Sequence, residues 1–165
     1  MGPIIYLTVG ISGSGKSKFA DFFLKGVQAT EINLDNIRKE LGNVSDQSQN
    51  EKVFKMADNR MVAELAGGFN VFLSNTNLRI GSIKELTRRF PHNDIVVFVM
   101  EDAFDKQLCA DRVADDIENG LDRSNVPAEV IDNQFERFTN MVKELKAYHN
   151  PQVTVRYVSR DFKIK

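Results

Sequence analysis

A chain of 165 residues, 42% hydrophobic and 27% charged, holds enough apolar content for one sizeable core and is expected to form a single domain over 1–165. Its net charge of −1 excludes a protein that gathers polyanions by bulk charge, although a local basic channel stays open. No apolar run is long enough to span a bilayer, the first strand starts too early to leave room for a targeting segment, and the lone Cys109 suits a reducing compartment. The expectation is a cytoplasmic protein with no membrane partner.

Residues 4–9 are apolar and rich in β-branched side chains, which predicts a buried strand. Residues 10–17 follow as Gly-Ile-Ser-Gly-Ser-Gly-Lys-Ser and fit the phosphate-binding pattern G-x-x-x-x-G-K-[ST] at every fixed position. Residues 17–25 predict a helix with aromatic residues on one face. A second strand is expected at 29–34, a short helix at 35–41 and a long helix at 48–66, closed by Gly67-Gly68. Strand 69–73, helix 82–90, strand 95–100 and helix 104–119 come next. Helix 127–148 opens with Pro127 in its first turn and carries an apolar stripe that includes Val130, Ile131, Phe138 and Met141. A fifth strand at 153–158 completes the set. Strands alternating with helices imply right-handed crossovers, hence a three-layer α/β fold with a five-stranded parallel sheet and helices on both faces.

Ligands of such sheets bind beyond the carboxyl ends of the strands. After the first strand lies the Gly-rich loop, whose N–H groups and helix dipole suit a polyphosphate. Ser12, Gly13, Ser14 and Gly15 form its cradle, Lys16 is placed to reach the β- and γ-phosphates, and the Ser17 hydroxyl to hold magnesium. ATP or another nucleoside triphosphate with Mg²⁺ is the expected ligand. After the second strand comes Asp35-Asn36-Ile37-Arg38. Asp35 suits two roles, a general base that takes a hydroxyl proton or an N-cap of the short helix. Arg38, three residues on, suits a phosphate grip or a solvated helix face. After the third strand comes Ser74-Asn75-Thr76-Asn77, and after the fourth Glu101-Asp102. His92 and His149 read as turn residues, Lys84, Arg88 and Arg89 as a solvated helix face or a weak phosphate patch, and Asp115, Asp116, Glu118 and Asp122 as a solvated acidic face. No Cys/His cluster has metal-ligand spacing.

The phosphate loop, the block Ile32-Asn33-Leu34-Asp35-Asn36-Ile37-Arg38, the block Leu73-Ser74-Asn75-Thr76-Asn77-Leu78 and the block Val126-Pro127-Ala128-Glu129-Val130-Ile131 together resemble the kinase domain of the phage polynucleotide 5′-kinase family over nearly the whole chain. The resemblance implies transfer of the γ-phosphate of ATP to the 5′-OH end of single-stranded DNA or RNA. It places Asp35 on the general base and Arg38 on the arginine that holds the acceptor's 3′-side phosphate. Lys16 and Ser17 fall on the triphosphate and metal residues, and Asn75 and Thr76 on the acceptor side. A lid around 110–127 is expected to close on the triphosphate, with Arg123 and Arg112 as its arginines. Two features depart from the family pattern: Asn75 stands where the family has aspartate, and the lid segment is acidic. Two other classes stay open, a small-molecule or nucleotide kinase of the same fold and a nucleotide-binding switch, although a switch has no use for an acceptor base.

Overall fold

A computed structural model describes residues 2–42, 49–121 and 126–165. Among the described residues, five parallel strands form one sheet in the order β2-β3-β1-β4-β5: β1 Ile5–Val9, β2 Thr30–Ile32, β3 Val71–Leu73, β4 Ile95–Met100 and β5 Val153–Val158. The helices are α1 Lys16–Leu24, α2 Leu34–Leu41, α3 Asn50–Ala66, α4 Ile80–Arg89, α5 Lys106–Glu118 and α6 Ala128–Ala147. The three-layer α/β architecture expected from the sequence is therefore the one observed.

β1 is central and buried on both faces, as a parallel strand covered by helices must be. Side chains alternate across it. Tyr6 stacks with Phe72 of β3 at 6.3 Å and with Phe98 of β4 at 6.1 Å. α1 lays Phe19 and Phe23 onto those rings, each with its centroid 5.1 Å from that of Phe98. Fully burying a phenylalanine such as Phe19 contributes about 1.5–3 kcal/mol. This aromatic layer fixes α1, and with it the loop that precedes α1, on top of the sheet.

Element boundaries shift where polar side chains intervene. β2 ends at Ile32 because Asn33 caps α2, its side chain accepting from the Asn36 N–H at 3.0 Å. Helix α5 starts at Lys106 rather than 104, since Asp105 caps it and accepts from the Leu108 N–H at 3.1 Å; residues Glu101–Phe104 form a 3-10 turn before it. Val130 faces solvent instead of joining the α6 stripe, and Pro127 stands just outside the helix as its N-cap. After β5 the chain folds back on itself: Tyr157 and Lys165 exchange backbone hydrogen bonds, and Val158 bridges Ile164 antiparallel.

Candidate active site

The carboxyl ends of β1, β2 and β3 open together into a cleft of about 1260 Å³, lined at one end by Glu31 and Lys39 and at the other by Arg160 and Phe162. The loop between β1 and α1 forms its floor. Gly13 and Gly15 take φ of 81° and 93°, the left-handed region that glycine enters without steric cost. Gly13 also presses on α5, where a Cβ at this position would stand 2.3 Å from the Cys109 carbonyl oxygen. The Ile11 carbonyl ties the loop together, accepting from the Ser14 N–H at 3.2 Å, from Ser14 Oγ at 2.7 Å and from Lys16 Nζ at 2.7 Å. The Ser14 hydroxyl is thereby turned into the protein. Gly15, in the left-handed conformation, stands at the N-cap of α1, so the positive end of the helix dipole is presented at the cleft floor. Lys16 and Ser17 stand on that turn and line the cleft.

α2 makes one wall. Its cap is Asn33, which removes the capping role from Asp35 and leaves that carboxylate half exposed in the first turn. Arg38 lies one turn on and is 9% exposed. Its Nη1 donates to Asp35 Oδ1 at 2.8 Å, while Nε and Nη2 both donate to Asn50 Oδ1 at 3.2 and 3.0 Å. Asp35 and Arg38 both line the cleft.

The segment after β3 bolts this wall to the floor. Asn75 Oδ1 accepts from the Leu34 N–H at 2.9 Å, and Asn33 Nδ2 donates to Ser74 Oγ at 3.0 Å, so the start of α2 hangs on residues from β3's end. The Gly10 N–H donates to the Thr76 carbonyl at 3.1 Å. Asn77, at φ 51°, spreads its amide over the carbonyls of Thr8, Leu73 and Asn75. Asparagine tolerates this conformation better than most residues. Asn75 and Thr76 line the cleft as well, with the Asn75 oxygen committed to the backbone.

The opposite wall is organised by Asp102, 12% exposed, at the end of β4. Arg112 Nη2 donates to its Oδ2 at 2.8 Å, and Arg160 Nε reaches Oδ1 at 3.2 Å. Arg112 Nη1 also donates to the Gly13 carbonyl at 3.1 Å, which braces the loop from α5. From α6, Gln134 Oε1 accepts the Ser12 N–H at 2.9 Å. Asp115 and Asp116 line the cleft, so this part of the expected solvated acidic face borders the site instead. Arg123 and Asp122 lie outside the described residues, as does part of the expected lid.

The basic cluster on α4 is spoken for. Arg88 pairs with Glu85, Arg89 donates to Asp58 Oδ1 at 2.5 Å, and Lys84 sits over the Tyr148 ring. That cluster, His92 and His149 all fall in or after helices that lead into strands, toward the amino ends of β4 and β5 rather than the carboxyl ends that open into the cleft. Among the described residues no group of three or more His, Cys, Asp or Glu is placed to hold a metal, and no helix is long and apolar enough to cross a membrane. Of the side chains on the first turn of α1, the Ser17 hydroxyl, which lines the cleft, is the one whose chemistry fits a magnesium ion brought with a triphosphate.

Sequence reasoning passed over Gln134, Asn50 and Arg160. The strand-end rule, applied to β5 as to the others, points to Arg160; nothing local marks Gln134 or Asn50.

Comparison with known proteins agrees with this geometry. A family model described as an AAA domain (AAA_33) matches residues 5–141. A chain of the Pnkp1/Rnl/Hen1 RNA repair complex superposes with a TM-score of 0.76 at 22% identity, over 87% of this chain and 46% of that one. A chain of the PezAT chromosomal toxin-antitoxin system of Streptococcus pneumoniae gives 0.65 at 17% identity, over 99% and 70%. A gluconokinase from Sinorhizobium meliloti gives 0.54 at 15% identity, over 94% and 83%. These likenesses show the fold, that of a P-loop kinase, and the chain spans less than half the length of the RNA repair chain. A search of curated proteins by sequence found no match.

Proposed function

The chain belongs to the AAA domain family, and we propose that it is an ATP-dependent kinase that moves the γ-phosphate of ATP onto the 5′-hydroxyl end of single-stranded DNA or RNA. The observation that carries this reading is the pairing of Asp35 with Arg38, 2.8 Å apart, on the wall of the cleft whose floor is the phosphate loop. A carboxylate beside a phosphate cradle serves to take a hydroxyl proton. A nearly buried guanidinium beside that carboxylate serves to hold a phosphate borne by the same acceptor. The resemblance of the blocks around Asp35, Asn75 and Val126 to phage polynucleotide 5′-kinases supports it. The fold shared with a chain of an RNA repair complex is consistent with a nucleic-acid end as substrate.

In the mechanism that follows, the first turn of α1 and Lys16 hold the β- and γ-phosphates. Ser17 would hold magnesium, which would supply positive charge against the triphosphate during transfer. Arg38 grips the phosphate on the 3′ side of the terminal nucleotide and so aims its 5′-oxygen at the γ-phosphorus. Asp35 takes the hydroxyl proton as the new O–P bond forms, the bond to the β-phosphate oxygen breaks, and ADP leaves. Arg112 holds the loop in shape through the Gly13 carbonyl, and Arg123 is the arginine proposed for the triphosphate.

Asp115 and Asp116 on the cleft wall favour a second reading, a kinase for a small phosphorylated molecule, because they repel a long polyanion that passes them. The test offers γ-labelled ATP and Mg²⁺ to 5′-OH oligonucleotides, nucleosides, mononucleotides and sugars. Label on oligonucleotide ends supports the first reading. Label on small molecules alone moves the assignment to the second, and label on none of them removes both.

A further inference from the structure

Arg38 is held in an unusual way for a nearly buried cation. Three of its N–H groups are engaged, but two of these three bonds go to one neutral oxygen, Asn50 Oδ1, at 3.2 and 3.0 Å. Among the described residues only Nη1 meets a charge, on Asp35, whose side chain is half in water. Asn50 is the first residue of α3 and is not among the cleft's lining residues; among the described residues its side chain reaches the site through Arg38. Hydrogen bonding alone does not call for an amide here. An aspartate of the same size would accept the same two donors, as a charge-assisted and stronger pair. What the amide changes is the charge count. With asparagine at this position, Asp35 and Arg38 sum to zero; with aspartate the three groups would sum to −1.

We propose that Asn50 is a positioning residue for acceptor recognition: it fixes the plane of the Arg38 guanidinium without neutralising it, and so reserves that charge for a phosphate on the acceptor. The proposal rests on the reading of Arg38 as the acceptor-phosphate residue. A neutral brace costs the site some stability, since a carboxylate would hold the buried cation more firmly. The return is electrostatic. Transferring the brace from amide to carboxylate sets a negative charge within several ångströms of the phosphate that Arg38 is to hold, in a cleft open to ions where repulsion is stronger than in bulk water and salt screens it in part.

Asn50→Asp separates this from a merely structural role, because it keeps the brace and changes only the charge. The direct measurement titrates adenosine 3′-phosphate into wild type and Asn50→Asp by calorimetry, with a non-hydrolysable ATP analogue and magnesium filling the donor loop. The variant is expected to bind roughly 10- to 100-fold more weakly, with the gap narrowing as salt is raised. Its melting temperature is expected to equal or exceed that of wild type. In steady state, KM for a 5′-OH oligonucleotide should rise by the same factor while KM for ATP holds within about threefold, the scale on which remote charges act. Asn50→Ala, which removes the brace, should weaken acceptor binding too, but with little dependence on salt. Equal affinity of wild type and Asn50→Asp for adenosine 3′-phosphate, or binding by neither, overturns the proposal. A binding difference without transfer to any 5′-OH acceptor upholds the role of Asn50 and refutes the polynucleotide kinase reading instead.

Discussion

Replacing Gly13 by alanine adds one methyl group where the phosphate loop meets α5, and the structure sets two separate costs for it. The backbone there has φ of 81°, which an L-residue adopts at a cost of about 1–2 kcal/mol. The new Cβ would also lie 2.3 Å from the Cys109 carbonyl oxygen, an obstacle of backbone that no rotamer change clears. Relief requires the loop and α5 to part by about 1 Å, and overpacking of this kind costs about 1–3 kcal/mol more. The total of about 2–5 kcal/mol corresponds to a fall in Tm of about 4–20 °C for a chain of this length. Function should suffer beyond stability. The Arg112 bond to the Gly13 carbonyl and the donors of the first turn of α1 are both set by this contact, and a shift of about 1 Å costs on the order of 100-fold in positioned chemistry. Gly68→Ala is the control. Its φ is 84°, yet a Cβ there meets nothing within 4 Å, so it should lose only the conformational part, about 1–2 kcal/mol. The assay is calorimetric unfolding of the three proteins, each with and without ATP and magnesium. Gly13→Ala melting with Gly68→Ala, and gaining as much as wild type from ATP, would refute the claim that the contact with α5 shapes the loop.

Asp35→Asn is expected to keep ATP binding and helix α2, because Asn33 supplies the cap, while kcat falls about 100-fold, the scale of a lost general base; a loss under threefold sends the search for the base elsewhere. Arg38→Ala should raise KM for a 5′-OH oligonucleotide by about 10- to 150-fold with KM for ATP little changed, and equal use of a nucleoside and its 3′-phosphate by wild type would contradict the role given to Arg38. Burial pushes the Cys109 thiol from 9.0 up to about 11, so the folded protein keeps this proton where the unfolded chain releases it. This contribution to stability is complete below pH 9 and is lost as pH rises toward 11, and the thiol should resist alkylation at pH 8 until the protein is unfolded. Urea unfolding of wild type and Cys109→Ser across that range checks the sign, since the serine variant should lack this part of the decline.

The sheet was legible because its strands are short apolar runs between helical patterns, and the central ones are rich in β-branched residues. Helices α1, α3 and α6 were legible from apolar spacing and from the glycine pair after α3. The errors sit where a side chain from elsewhere decides the backbone. Leu34 extends the apolar run of β2 in sequence, yet it opens α2 because Asn75, forty-one residues on, accepts its N–H. The break before α5 did have a local signal, Asp105 in capping position, overridden in the reading by the apolar Phe104.

For the site, residue type and strand end located the cleft but could not assign partners. Asp35 and Asn33 are two residues apart and both can cap. Only the orientation of Asn33, held through its amide by Ser74, decides that Asn33 does so and that Asp35 turns to Arg38. Arg112 is a similar case. The family resemblance, with its lid arginines, made it a candidate for the triphosphate, whereas its guanidinium is divided between Asp102 and the back of the loop at Gly13. A residue in that position acts on the phosphates through the loop it braces, and Asp102 sets how firmly, because the same carboxylate also holds Arg160. Arg112, Arg160 and Asp102 by themselves sum to +1, and Asp115 and Asp116, which line the same cleft, offset that charge. The phosphate loop thus lies between Arg38, paired with a half-exposed carboxylate, and Arg112, which shares Asp102 with Arg160, and an arginine on each side suits a reaction in which both donor and acceptor bring phosphates.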